Sequence, residues 1–124
     1  IRVPGSGRFE LRLMDGATNP YLLQAGIIAA GIDGIDNNRN PGKPSFLNMY
    51  AEAHKAKNAK KLPKNLETAL SHLSKSKVMN KAFSKETINS YVKLRSLDIK
   101  DFKKSKDSKK KGITEWEKLN TLDC

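Results

Sequence analysis

Residues 8 to 13 read Arg-Phe-Glu-Leu-Arg-Leu, and this alternation holds the most chemistry in the chain. Side chains on a strand point to opposite faces in turn, so Arg8, Glu10 and Arg12 share one face. Phe9, Leu11 and Leu13 share the other, which goes to a core. A carboxylate between two guanidiniums has two readings. It is plain ion pairing on an exposed strand, or it holds a divalent cation while the arginines neutralise phosphate or carboxylate oxygens. The apolar helix that follows places the strand centrally, and Arg2, one loop upstream, adds a further donor for anionic oxygens. Both features favour the second reading.

Other candidates are weaker. Asp36 to Asn40 starts like a calcium-binding loop. However, Pro41 stands where glycine is needed and Leu47 where a bidentate glutamate is needed. Gly5-Ser6-Gly7 precedes a strand and lacks the Lys-Ser/Thr ending of a phosphate loop, so it reads as a turn. His54 and His72 have no second ligand at metal spacing and read as surface residues. No Ser/His/Asp or Cys/His set can be assembled.

The elements that must position the strand are legible. Met14 to Ala17 make a turn. Asn19 caps a helix with Pro20 at its first position, running to about Ile32 and ending at Asp33-Gly34. Apolar residues on several of its sides imply burial most of the way round. Residues 36 to 64 are a loop followed by a Lys- and Ala-rich connector, a weak helix at most. Asn65 caps a helix with Leu66, Ala69, Leu70 and Leu73 on one face. Ser84 caps a longer one whose stripe is Ile88, Tyr91, Val92, Ile99 and Phe102. KKSKDSKKKG breaks it. Thr114 and Glu117 form a capping box for a last helix, docked by Trp116 and Leu119.

The chain has 124 residues and a net charge of +11, 24 basic residues against 13 acidic. Such a surplus raises nucleic acid as a partner. Most of it is lysine scattered among few aromatics, which more often marks a solvated surface. A basic, helical polyanion-binding module is therefore the weaker reading. The one cysteine, Cys124, cannot form an internal disulfide and fits a cytoplasmic setting. The apolar run from Tyr21 to Ile32 is too short to span a bilayer. The chain opens at Ile1 with no Met, which reads as an internal boundary.

The stretch RFELRL-DG--NPYLLQAGIIAAGIDGI, then NPGKP, NMY, LPKNLETAL and EWEKLNTLDC, resembles the carboxy-terminal part of the glutamine synthetase catalytic domain. The resemblance covers nearly the whole chain. It implies an α+β class: a mostly helical piece with one or two strands belonging to a larger curved antiparallel sheet. By that likeness residues 1–14 are the active-site strand region and 19–35 the buried helix. Residues 36–64 are then loop and connector, and 65–124 the helical end. It also implies an ATP-dependent ligase, acting with Mg or Mn, that joins glutamate and ammonia through γ-glutamyl phosphate. Family members assemble as stacked rings of identical subunits.

The roles carried over are metal ligation for Glu10, and substrate binding and catalysis for Arg12. Arg2 takes the ATP phosphates, and Arg8 a nucleotide-side role. Tyr50 fits the place of a tyrosine that some bacterial members adenylylate, although the AEAHK after it departs from that pattern. The loop between Arg2 and Glu10 is shorter than in common bacterial members and lacks their ATP-binding lysine. That loop and the TLDC ending resemble a divergent branch, in which some relatives use amines other than ammonia. The other metal ligands, the ammonia pocket and most of the nucleotide site lie upstream in family members.

Overall fold

A computed structural model describes residues 1–56 and 59–121. It holds one antiparallel pair of strands, β1 (Arg2–Gly5) and β2 (Arg8–Glu10), followed by helices. These are α1 (Pro20–Asp36), α2 (Met49–Glu52) with a 3₁₀ turn (Ala53–Lys55), α3 (Leu66–Lys75), α4 (Lys77–Phe83), α5 (Lys85–Lys104) and α6 (Glu115–Thr121). The α+β class and its helical majority agree with the sequence reading. Cys124 lies outside the described residues.

The strands pair with Arg2 opposite Glu10 and Gly5 opposite Arg8. Between these pairs β1 has two residues, Val3 and Pro4, where β2 has only Phe9, so the ladder carries a bulge. Pro4 has no N–H to give to a ladder, and a bulge is where a strand tolerates it. Ser6 and Gly7 close the hairpin. Gly7 sits at φ 72°, in the left-handed region that costs glycine nothing. The strand ends at Glu10 instead of continuing through Leu13. Among the described residues it has a single neighbour, β1.

The Asn19 side chain accepts the N–H groups of Tyr21 and Leu22, starting α1 as expected. The helix then passes through Asp33-Gly34 to Asp36. Asp33 is no stop signal. Its carboxylate takes Arg39 Nε at 2.6 Å and Asn37 Nδ2 at 3.0 Å, fastening the helix end. No residue of α1 is fully buried by the other described residues. Its inner face meets α4, where Gly26 lets Met79 approach, while Tyr21, Ile28, Ile32 and Ile35 stay exposed. A helix this apolar has surface for more neighbours than these residues provide.

The small core lies farther on. α3 and α5 pack together, and Leu70 and Ile88 are each only 5% exposed. Asn65, Ser76 and Ser84 cap α3, α4 and α5 through their side-chain oxygens. The stripe from Ile88 to Phe102 is buried or half-buried, as read. α4 itself was not anticipated. At seven residues it is too short to show a periodic stripe. The Thr114–Glu117 capping box forms reciprocally, at 2.8 and 3.2 Å. Trp116 docks as expected, but Leu119 is 78% exposed and does not.

Candidate functional site

β2 and the residue pair after it carry the cluster that the alternation pattern pointed to. Arg8 Nη2 donates to Glu10 Oε1 at 2.9 Å, and Arg12 Nη2 donates to Oε2 at 2.8 Å. Arg2 Nη1 reaches the same Oε2 at 3.3 Å from across the hairpin. The sequence places Arg2 one loop upstream; the structure makes it the cross-strand partner of Glu10. All four expected site residues therefore meet at one carboxylate.

Exposure is divided unequally within the cluster. The Glu10 side chain is 20% exposed, while those of the arginines are 59 to 71% exposed. The acid is shielded at the centre and the guanidiniums face outward. Three cations around one anion leave a local surplus of two positive charges. The Arg12 hydrogen bond, aided by Arg2, holds the Glu10 carboxyl below the usual carboxylate range against some desolvation. Glu10 in turn raises the pKa of Arg12, chiefly through their hydrogen bond.

The scaffold behind the cluster is apolar. Phe9 and Leu11 line an open cleft of about 540 Å³ together with Leu22, Ile27 and Ala30 of α1 and Met79 of α4. Phe9 remains 62% and Leu13 56% exposed, so the apolar face of the strand only partly reaches a core. α1 supports the strand across this cleft, as expected, but does not enclose it.

Outward-facing guanidiniums on a fixed strand suit anionic oxygens of phosphate or carboxylate. A divalent cation fits less well. Mg needs six oxygen ligands in near-octahedral order. Among the described residues no three His, Cys, Asp or Glu side chains converge, and both oxygens of Glu10 are already engaged by arginine. These residues offer one carboxylate to a metal, not a metal site. His54 and His72 are exposed, on the 3₁₀ turn after α2 and on α3. Gly5 to Gly7 form the hairpin turn.

Tyr50, 38 residues beyond Arg12 in sequence, lies on α2. Asn48 caps α2 by accepting the Tyr50 N–H at 3.1 Å, while Glu52 accepts the Asn48 N–H at 3.1 Å. The Asn-x-x-x-Glu pattern around NMY is the local signal for that turn.

A bulged hairpin thus presents three guanidiniums around one acid, with an apolar helix behind it. Residues 1–117 match the family model described as glutamine synthetase, catalytic domain, and the chain belongs to that family. It is 45% identical over 123 residues to a glutamine synthetase of Rhizobium leguminosarum bv. phaseoli, and 43% identical to one of Rhizobium meliloti (strain 1021). Each match covers 99% of this chain and 27% of the relative. A glutamate–methylamine ligase of Methyloversatilis universalis is 35% identical, over 99% of this chain and 26% of its own length. The chain thus spans about a quarter of the curated relatives it matches. No solved structure matches it. Among the described residues no helix is long and apolar enough to cross a membrane.

Proposed function

We propose that this chain is the carboxy-terminal part of the catalytic domain of an ATP-dependent glutamate–ammonia ligase. One observation carries the reading: Arg2, Arg8 and Arg12 converge on Glu10 in a chain 45% identical to a glutamine synthetase. In such a ligase the γ-carboxylate oxygen of glutamate attacks the γ-phosphorus of ATP and ADP leaves. The ammonia nitrogen then attacks the acyl carbon, loses a proton, and phosphate leaves.

Both steps concentrate negative charge, and fixed guanidiniums stabilise it without reorganisation. In this reading Arg2 and Arg8 face the nucleotide phosphates and Arg12 holds the glutamate substrate. The pairing with Glu10 keeps the Arg12 fork oriented before substrate arrives. Glu10 would contribute one oxygen to Mg or Mn, which neutralises phosphate charge when bound, with the remaining ligands supplied from outside residues 1–124. The piece alone is inactive, and the full-length protein works in the cytoplasm as a ring-stacked homo-oligomer.

The test is the full-length protein with ATP, glutamate, ammonium and Mg or Mn. Glutamine and ADP appearing in equal amounts supports the reading; ATP turnover indifferent to glutamate sinks it. The likeness to a glutamate–methylamine ligase favours one alternative, a γ-glutamyl ligase for another amine. The same assay with methylamine separates the two.

A further inference from the structure

We propose that the lysine-rich segment from Lys100 to Lys111 is a docking surface for the phosphate backbone of a nucleic acid duplex. The inference goes beyond the ligase reading and does not depend on it.

The observation is a run of like charge that is folded. Seven lysines fall between Lys100 and Lys111 against two acids, Asp101 and Asp107, a local surplus of five positive charges. A run this basic ordinarily repels itself and stays unstructured. Here it is held. Lys100, Lys103 and Lys104 stand on the last turns of α5, at the spacing that puts side chains on one helix face. Ser105 ends the helix by donating its N–H to the Asp101 and Phe102 carbonyls. The chain then folds back: the Ser108 N–H donates to the Ser105 carbonyl at 3.3 Å, and the Lys110 N–H to the Asp107 carbonyl at 2.9 Å. These tight turns keep Lys106 to Lys111 close to the end of the helix.

Asp107 is the post around which the turns are built. Its side chain is only 13% exposed, and it accepts the Trp116 N–H while pairing with Lys110. One shielded acid anchors the segment, yet all seven lysines remain exposed. Lys103 pairs with Glu67 of α3, and Lys104 with Asp101 at 3.8 Å. Among the described residues Lys100, Lys106, Lys109 and Lys111 have no ion-pair partner. The lysine surplus reads in the sequence as a solvated surface; in this segment a built turn presents it.

The chemistry of the segment selects the anion. Protein interfaces have an apolar centre and few lysines. Phe102, the one large apolar residue between Lys100 and Lys111, is engaged with Trp116. Single strands are held by stacking bases on aromatic rings, and no other aromatic lies in the segment. It also has no arginine to read base edges. Closely spaced ammonium groups alone match the outside of a duplex, which carries one phosphate charge per about 1.7 Å of its axis. Binding of this kind is independent of base sequence.

The experiment uses the full-length protein and labelled mixed-sequence duplexes, one of DNA and one of RNA, with binding read by fluorescence anisotropy between about 50 and 200 mM salt. Two triple variants remove equal charge: Lys106→Gln with Lys109→Gln and Lys111→Gln in the turn, and Lys75→Gln with Lys77→Gln and Lys81→Gln around α4. None of the six lysines is ion-paired within the described residues, so neither triple breaks a contact of the fold. The wild-type protein should bind both duplexes to within about threefold of each other, because phosphates alone are touched. The turn variant should weaken binding at least about tenfold at the lowest salt. It should also lower the slope of log affinity against log salt by about 2.7, the share of three phosphate contacts. The α4 variant should change affinity less than about threefold. No binding by the wild-type protein at the lowest salt, or equal loss in the two triples, overturns the proposal. So does tighter binding of poly-glutamate than of either duplex, which would assign the segment to acidic proteins.

Discussion

Trp116 meets Phe102 edge-on, ring centroids 5.3 Å apart and planes at 61°, and this contact ties α6 to α5. Asp107 reinforces it from the loop between them, accepting the Trp116 N–H at 3.0 Å and pairing with Lys110 at 2.6 Å. A ring pair of this kind adds about 0.5–1.5 kcal/mol beyond the area it buries. Trp116→Ala should therefore release α6 while leaving α3 and α5 in place. Hydrogen exchange checks this: amides of α6 should lose protection, and those around Leu70 and Ile88 should keep it.

Glu10 and Arg12 offer a direct test of the site. In the full-length protein, Glu10→Ala and Arg12→Ala should each reduce turnover by at least ~10²-fold, the scale of losing one preorganised electrostatic group. Near-normal steady-state rates in both variants would remove the roles assigned to them.

The cluster also sets a pH dependence. The folded-state pKa of Glu10 is lowered, chiefly by the Arg12 hydrogen bond. A carboxyl depressed on folding contributes stability that is present above its unfolded pKa, about 4.3 for glutamate. That contribution is lost as pH falls through the folded value. Stability measured from pH 6 downward should lose the Glu10 contribution only below about 4.3, and Glu10→Gln should flatten the profile there. A Glu10 carboxyl signal titrating above that value would contradict the lowered pKa.

Ser84 adopts φ 68° and ψ 150°, a region normally left to glycine, while its side chain caps α5 by accepting the Thr87 N–H at 3.3 Å. Glycine loses the cap but relieves the backbone; alanine loses the cap and keeps the strain. Replacing a cap with alanine costs about 0.5–2 kcal/mol and with glycine only a few tenths. Chemical denaturation of Ser84→Ala and Ser84→Gly should therefore rank alanine as clearly the less stable.

The sequence was most informative where one local rule sufficed. Asn19, Asn65, Ser84 and the Thr114–Glu117 box each start a helix where their chemistry says, because a cap is decided within four residues. The shared face of Arg8, Glu10 and Arg12 was legible because strand alternation is equally local. Burial was not legible in this way. The apolar surface of α1 implied burial on most sides, but what covers a helix depends on elements distant in sequence. Leu119 stays exposed for the same reason. The roles of the four charged residues came from family likeness; their convergence on one carboxylate is a fact of the structure.

The extra residue in β1 has a consequence for natural variation. Arg2 faces Glu10 because Val3 and Pro4 together span the place of one partner residue. Losing one of them leaves a regular ladder, with one residue facing Phe9 and Arg2 still facing Glu10. Losing both places Arg2 opposite Phe9, and alternation then turns it to the other side. Lineages that shorten this strand by one residue should therefore keep the arginine corner, whereas those that lose two should need a new cation there.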